Sequence, residues 1–262
     1  ALVRTFTRPG DRVIVQQPVY HPFMLAAENN GRRVINNELR LDGGRYVMDL
    51  DDLEKKAAAH RARMLILCSP HNPVGRLWTR GELEELGRVC ADHGLLVVSD
   101  EIHSDLVLGG RRHVPFASVS DALAARSVVC TAPSKTFNLA GLQTANLIIP
   151  DAKLRAEYIA AQEECGFFSA NAFGAVALEA AYAHGEDWLN ALIDYIEANL
   201  RFLADRITDR LPGVRLIEPE ATYLAWLDFR DLGMDSRALK DFLRRRAAVA
   251  LGEGHIFGRG GE

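Results

Sequence analysis

Three short polar strings, each following an apolar run, carry the residue types that could do chemistry. After residues 64–68 comes Ser69-Pro70-His71-Asn72-Pro73-Val74-Gly75. After residues 95–99 comes Asp100-Glu101-Ile102-His103, and after 127–131 comes Ala132-Pro133-Ser134-Lys135. An earlier run is followed by Pro18-Val19-Tyr20. A carboxylate at the end of an apolar strand is poorly hydrated, so it needs a positive partner or takes up a proton. A desolvated lysine loses its proton more readily and can then condense with an aldehyde.

An amine, a carboxylate suited to a protonated pyridine nitrogen, and hydroxyls for a phosphate together make the set that pyridoxal 5′-phosphate (PLP) requires. Spacing alone leaves other readings open. Lys135 could be a surface lysine, Asp100 a helix cap, Asn72 a turn residue before Pro73, and Tyr20 plain core.

The elements that must position these groups follow from periodicity. Strands are expected at 12–16, 64–68, 95–99, 127–131 and 144–149. A helix is expected to begin at Thr79, where Thr79 and Glu82 form a capping box. Leu83, Leu86 and Val89 make one face, and Gly94 ends the helix. Strand, helix, strand at this spacing predicts βαβ units and a mostly parallel sheet covered by helices, with functional groups at the strands' carboxyl ends. Residues 171–210 read as almost wholly helical, broken at Gly185. Strand patterns at 214–217 and 222–228 and a closing helix at 236–247 then read as a smaller α+β unit. The expected division is a large domain over 1–195 and a small one over 196–262.

The bulk composition excludes several classes. With 31 basic and 35 acidic residues the net charge is −4, too balanced to indicate a nucleic-acid partner. Arg244, Arg245 and Arg246 sit among acidic neighbours and read as a solvated helix face. Cys68, Cys90, Cys130 and Cys165 are widely spaced with no CxxC pair, which favours free thiols over disulfides or a metal site. No apolar run reaches membrane-spanning length and no signal peptide opens the chain, so a cytoplasmic protein is expected.

Asn72-Pro73-Val74-Gly75, Ser99-Asp100-Glu101-Ile102-His103 and Ala132-Pro133-Ser134-Lys135-Thr136-Phe137-Asn138 together resemble the fold-type I PLP enzymes. With Leu139-Ala140-Gly141-Leu142-Gln143 and Pro219-Glu220-Ala221-Thr222-Tyr223 the chain is similar, more narrowly, to the MalY/PatB group of cystathionine β-lyases in the class I/II aminotransferase superfamily. The resemblance runs in order over essentially the whole chain. It implies that Lys135 holds the cofactor as a Schiff base and shuttles the α-proton, and that Asp100 pairs with the pyridinium nitrogen. It implies further that Asn72 meets the phenolic oxygen, Tyr20 stacks on the ring, Ile102 packs beneath it and Ser134 binds phosphate. Two positions depart from aminotransferases, which commonly have tyrosine at 103 and arginine at 143, where this chain has His103 and Gln143. His103 is either a polar neighbour of the ring or a packed strand-end residue.

The resemblance places the glycine-containing phosphate cup before Ala1 and the arginine for the substrate carboxylate after Glu262. The activity it implies is a carbon–sulfur β-lyase acting on cystathionine, cysteine or a related thioether amino acid, giving pyruvate, ammonia and a thiol. A class I/II aminotransferase and a regulatory or binding protein on a PLP scaffold are the alternatives. Relatives of this type build their sites at a homodimer interface, and residues 167–182 offer apolar helical material for one.

Overall fold

The computed structural model describes residues 1–167 and 169–262. Its strands in chain order are β1 (Arg12–Val15), β2 (Arg33–Asn36), β3 (Arg40–Asp42), β4 (Arg45–Val47), β5 (Met64–Cys68), β6 (Leu96–Asp100), β7 (Ser127–Thr131), β8 (Asn146–Ile148), β9 (Arg215–Ile217) and β10 (Trp226–Asp228). The α-helices are α1 (Leu2–Phe6), α2 (Pro22–Glu28), α3 (Leu50–His60), α4 (Arg80–Asp92), α5 (Asp121–Ala124), α6 (Pro133–Thr136), α7 (Ala152–Glu164), α8 (Ala172–His184), α9 (Glu186–Arg210) and α10 (Ser236–Arg245).

Six strands form one sheet in the order β2-β1-β5-β6-β7-β8. The first five run parallel and β8 pairs antiparallel with β7. This is the mostly parallel α/β sheet that the strand–helix alternation predicts. All five residues of β5 are buried, as a central strand covered on both faces requires. Alternate residues divide between two cores. Ile14, Leu65, Leu67 and Val97 pack with Leu53 of α3 and Leu83, Leu86 and Val89 of α4. Val13, Val15, Met64, Ile66 and Val98 pack with Phe23 and Ala27 of α2, and with Leu154 and Tyr158 of α7. The period-2 alternation of a strand thus builds a core on each face.

α4 begins and ends where the sequence predicts. The Thr79 side chain accepts from the backbone N–H of Glu82, Glu82 reaches back to the Thr79 N–H, and Gly94 takes a left-handed φ of 66°. Other elements differ. The strand expected at 144–149 shortens to β8. Edge strand β2 was not predicted, because its side chains are only partly buried and give no apolar run. The β3–β4 hairpin turns through Gly43-Gly44, with φ of 55° and 85°; this Gly-Gly pair is a turn signal that could have located it. The boundary expected between 195 and 196 falls inside the continuous 25-residue helix α9.

The strand expected at 222–228 shortens to β10 because residues 219–222 bind loops instead of a strand. Gly75 O accepts from the backbone N–H of Glu220 (2.8 Å) and of Ala221 (3.1 Å). Leu108 N–H donates to Glu220 O (3.0 Å) and Thr222 N–H to Leu106 O (2.7 Å). The segment therefore buckles the loop after β5 to the loop after β6. Arg76, almost wholly buried, secures it by pairing with both Glu220 and Glu82 while donating to Tyr46 O (2.7 Å). Burial works to raise the Glu220 carboxyl, but the hydrogen bond from the Leu77 N–H (2.8 Å), with Arg76 and Arg45 beside it, outweighs this and holds it below the usual range.

Gly75 has φ +70°, and a Cβ there would stand 2.6 Å from Pro219 Cβ and 2.9 Å from Pro219 Cα. Gly75→Ala should therefore lower the unfolding free energy by about 1–3 kcal/mol, read by chemical denaturation. A variant as stable as wild type would show that the buckle is not this tight.

Candidate active site

In a doubly wound sheet, ligands bind beyond the strands' carboxyl ends at the point where strand order reverses. Here that point lies between β1 and β5, since the chain runs from β1 outward to β2 and later returns to β5 on the other side. Just past it a cleft is lined by Tyr20, Cys68, Asn72, Asp100, Ile102, His103 and Lys135. Four separate loops or strand ends, after β1, β5, β6 and β7, thus converge on one place. Six of the seven candidate residues are brought together there. Ser134 stands outside the lining, one residue before Lys135, with its carbonyl accepting from Leu139 N–H (3.1 Å). Gln143 caps a short 3-10 turn with a left-handed φ of 50°.

Each lining residue is held by its local structure. Asn72 O accepts from the Tyr20 N–H (2.9 Å), joining the β1 and β5 loops. His71 strengthens this join through a 2.8 Å contact between Nε2 and Pro18 O. Asn72 N–H also points at Cys68 Sγ (3.3 Å). The ring of Tyr20 meets that of Phe23 edge-on at 5.8 Å. Asp100 ends β6, with Oδ1 accepting from Ile102 N–H (3.3 Å).

Adjacent Glu101 turns the other way and is fully satisfied. It accepts from Ser99 Oγ (2.8 Å), Phe116 N–H (2.9 Å) and His113 Nε2 (2.7 Å). Sequence reasoning quoted Glu101 within a motif but gave it no role; three partners identify it as the anchor of the loop bearing Ile102 and His103.

The electrostatics mark this cleft as unfinished. Burial pushes the Asp100 carboxyl up to about 6; the neighbouring Glu101 charge adds to this, and the Ile102 N–H and Lys135 oppose it. Burial, with Lys135 nearby, holds His103 down to about 4, so its ring is neutral near pH 7. Both His103 ring nitrogens and Asn72 Oδ1 are buried without a hydrogen-bond partner among the described residues. Unpaired buried polar atoms are costly and call for a ligand or water. Their chemistry suits PLP: a ring N–H⁺ for Asp100, polar substituents for Asn72 and His103, an aldehyde for Lys135.

A larger cleft of about 490 Å³, lined partly by Arg40, Tyr46, Asp49, Asp52 and Lys56, lies elsewhere. Its Arg40 and Lys56 are already paired, with Asp49 (3.2 Å) and Asp52 (2.7 Å), so it offers less unmet charge. Sequence reasoning also missed Cys68 as a lining residue. The thiol closes the apolar run of β5, and burial, with Asp100 nearby, pushes its pKa up.

Sheet topology and this cleft define an enzyme of PLP fold type I. The family model "Aminotransferase class I and II" matches residues 1–261, and the chain belongs to that family. Cystathionine β-lyase PatB of Bacillus subtilis is 47% identical over 260 residues, covering 99% of this chain and 67% of the relative. Protein MalY of Escherichia coli is 36% identical over 261 residues, covering 99% and 66%. The crystal structure of cystalysin from Treponema denticola, which contains a pyridoxal 5′-phosphate cofactor, superposes with a TM-score of 0.95 at 39% identity, covering 99% of this chain and 66% of that one. The chain thus spans about two thirds of the length of the relatives it matches.

A raised carboxyl pKa has a definite sign. In cofactor-free protein, folded Asp100 binds a proton up to about pH 6, whereas its ordinary value is 3.8. Folding is therefore penalised at Asp100 as pH rises through that window. Asp100→Asn removes the penalty, so its stability relative to wild type should grow between about pH 4 and 6, measured by denaturant unfolding of apo protein. A difference that is flat with pH would show that Asp100 is not desolvated.

Proposed function

We propose that the protein is a PLP-dependent carbon–sulfur β-lyase acting on cystathionine, cysteine or a related thioether amino acid and releasing pyruvate, ammonia and a thiol. The observation that carries the reading is the convergence of Lys135, Asp100 and Asn72 on one cleft with polar atoms left unpaired, in a chain whose relatives include cystathionine β-lyases. PLP, when bound, supplies an aldehyde that takes up the substrate amine and a cationic ring that withdraws electrons from its α-carbon.

The chain's own residues do the rest. Lys135 would hold the cofactor and, once released as a free amine, would take the proton from the substrate's α-carbon. Asp100 would supply the charge that keeps a ring nitrogen protonated. Asn72 and His103 would offer polar contacts to the group, and Tyr20 and Ile102 would pack against it. Ser134, beside Lys135, is assigned to the phosphate. The division into domains at 1–195 and 196–262, with α9 crossing between them, belongs to the same reading, as does a cytoplasmic setting; among the described residues no helix is long and apolar enough to cross a membrane.

A homodimer is part of this proposal. Of the 13 residues of α8 only Gly174 is buried, and Phe173 and Val176 are 80% and 68% exposed. An apolar helix left uncovered is what a subunit interface would bury. Phe168, within the stretch 167–182, lies outside the described residues.

An aminotransferase is the second reading, favoured by the description of the matching family. It would use the same Lys135 and Asp100 but return a proton to the cofactor carbon instead of expelling a thiolate. Product analysis with cystathionine and no keto-acid acceptor separates the two. Sustained release of pyruvate, ammonia and thiol over many turnovers is expected. One equivalent of keto acid followed by arrest until an acceptor is added would establish the transaminase instead. Borohydride reduction should fix PLP to the peptide holding Lys135, and Lys135→Ala should remove turnover with the fold intact. Label on Lys153 or Lys240 would defeat the assignment.

A further inference from the structure

Lys135 is the third residue of α6, a four-residue helix. A helix this short has no stability of its own, because nucleation costs more than one turn returns. Its orientation must therefore come from side chains that anchor it. Thr136, the next residue, is completely buried, and its Oγ1 donates to Asp105 Oδ2 at 2.7 Å. Asp105 lies five residues beyond Asp100, in the loop that also carries Ile102 and His103. Among the described residues this is the one side-chain hydrogen bond joining residues 101–106 to residues 132–138.

The same carboxylate oxygen accepts a second hydrogen bond, from the Tyr182 hydroxyl of α8 at 3.1 Å. Burial and the Asp105 charge push that phenol up to about 12, so it stays protonated and keeps donating. Tyr182 in turn meets Phe137 edge-on at 5.3 Å. Asp105 thus gathers the β6 loop, the lysine helix and α8 at one oxygen atom.

We infer that Asp105 is a positioning residue for Lys135, which by gripping the adjacent Thr136 fixes the rotation of α6 and so the direction in which the lysine reaches the cleft. Successive residues on a helix are rotated by a constant angle, so anchoring one side chain sets the other. The inference rests on Lys135 being the cofactor-bearing lysine.

The test uses Asp105→Ala, Thr136→Val, the two combined, and the conservative Asp105→Asn and Thr136→Ser, as holoenzyme for turnover and stability and freed of cofactor for reloading. Three readouts are taken: kcat and KM, the rate at which added PLP develops the visible absorption of the lysine-bound cofactor, and thermal stability. Asp105→Ala and Thr136→Val should each lower kcat and the absorption rate by on the order of 10- to 100-fold, the scale of a misplaced reacting group. KM should stay near wild type. The double variant should be no worse than the worse single, because both break one interaction. Asp105→Asn keeps an acceptor and Thr136→Ser a donor, so both should recover most of the loss. If the first two variants lose thermal stability while the folded holoenzyme keeps wild-type kcat and absorption rate, the tie is merely structural and the inference is overturned. A wild-type enzyme that transaminates would defeat the lyase reading alone, since the variants are scored against whichever reaction wild type performs. PLP fixed to a different lysine in wild type would defeat both readings together.

Discussion

Two carboxylates stand side by side at the end of β6, and the site depends on their being treated differently. Glu101 is turned into the protein and receives three hydrogen bonds. Asp100 receives one long one, from Ile102, and among the described residues no cation forms a salt bridge with it. Burial therefore raises its pKa to about 6. A carboxyl left so poorly compensated is primed for a cationic partner, and binding that partner restores its charge. Glu101 makes this arrangement possible by fixing the loop, so that Asp100 need not bond inward to hold the turn.

The remaining lining groups are fixed by ties of the same kind. The segments after β1, β5, β6 and β7 are held to one another by loop-to-loop contacts. Backbone contact from Tyr20 to Asn72 joins the first two, and the 219–222 segment buckles the second to the third. Asp105 and Thr136 join the third to the fourth. Buried polar contacts with few degrees of freedom take the place of packing, which suits loops that must present polar side chains at a common point. Arg76 shows the cost of this design. It is a buried guanidinium that stays tolerable only because two carboxylates and two carbonyls share its donors.

What could be read in the sequence follows from how local each signal is. β5, β7 and α4 were legible because a buried parallel strand is a continuous apolar run and a capped helix announces its ends. The rule that functional groups gather past the carboxyl ends of parallel strands, with the family resemblance, then picked out Tyr20, Asn72, Asp100, Ile102, His103 and Lys135 as a group. β2 was not legible because an edge strand needs only half an apolar face. The 222–228 strand was overcalled because Thr222 is an exception that propensity cannot foresee. It is buried at φ 73°, where a β-branched residue is strained, and it is held there by its N–H bond to Leu106 O. Its pattern is that of a strand, and a contact more than a hundred residues away overrides it.

Strain at Thr222 has a geometric consequence at the cleft. The residue that follows, Tyr223, brings its ring to 5.5 Å from that of His103, tilted at 57°. An extended backbone at 222 would alternate the side chains and turn Tyr223 elsewhere. His103 is thereby walled on one side by an aromatic ring that gives its nitrogens no hydrogen bond, and burial keeps it neutral. A neutral imidazole retains one donor and one acceptor for whatever occupies the cleft. An imidazolium there would set a positive charge beside Lys135 and add a second cation to the cleft. The loop strain, the tyrosine and the neutral histidine therefore act in the same sense as the poorly compensated aspartate, and together they leave the cleft with polar groups unpaired and little fixed charge.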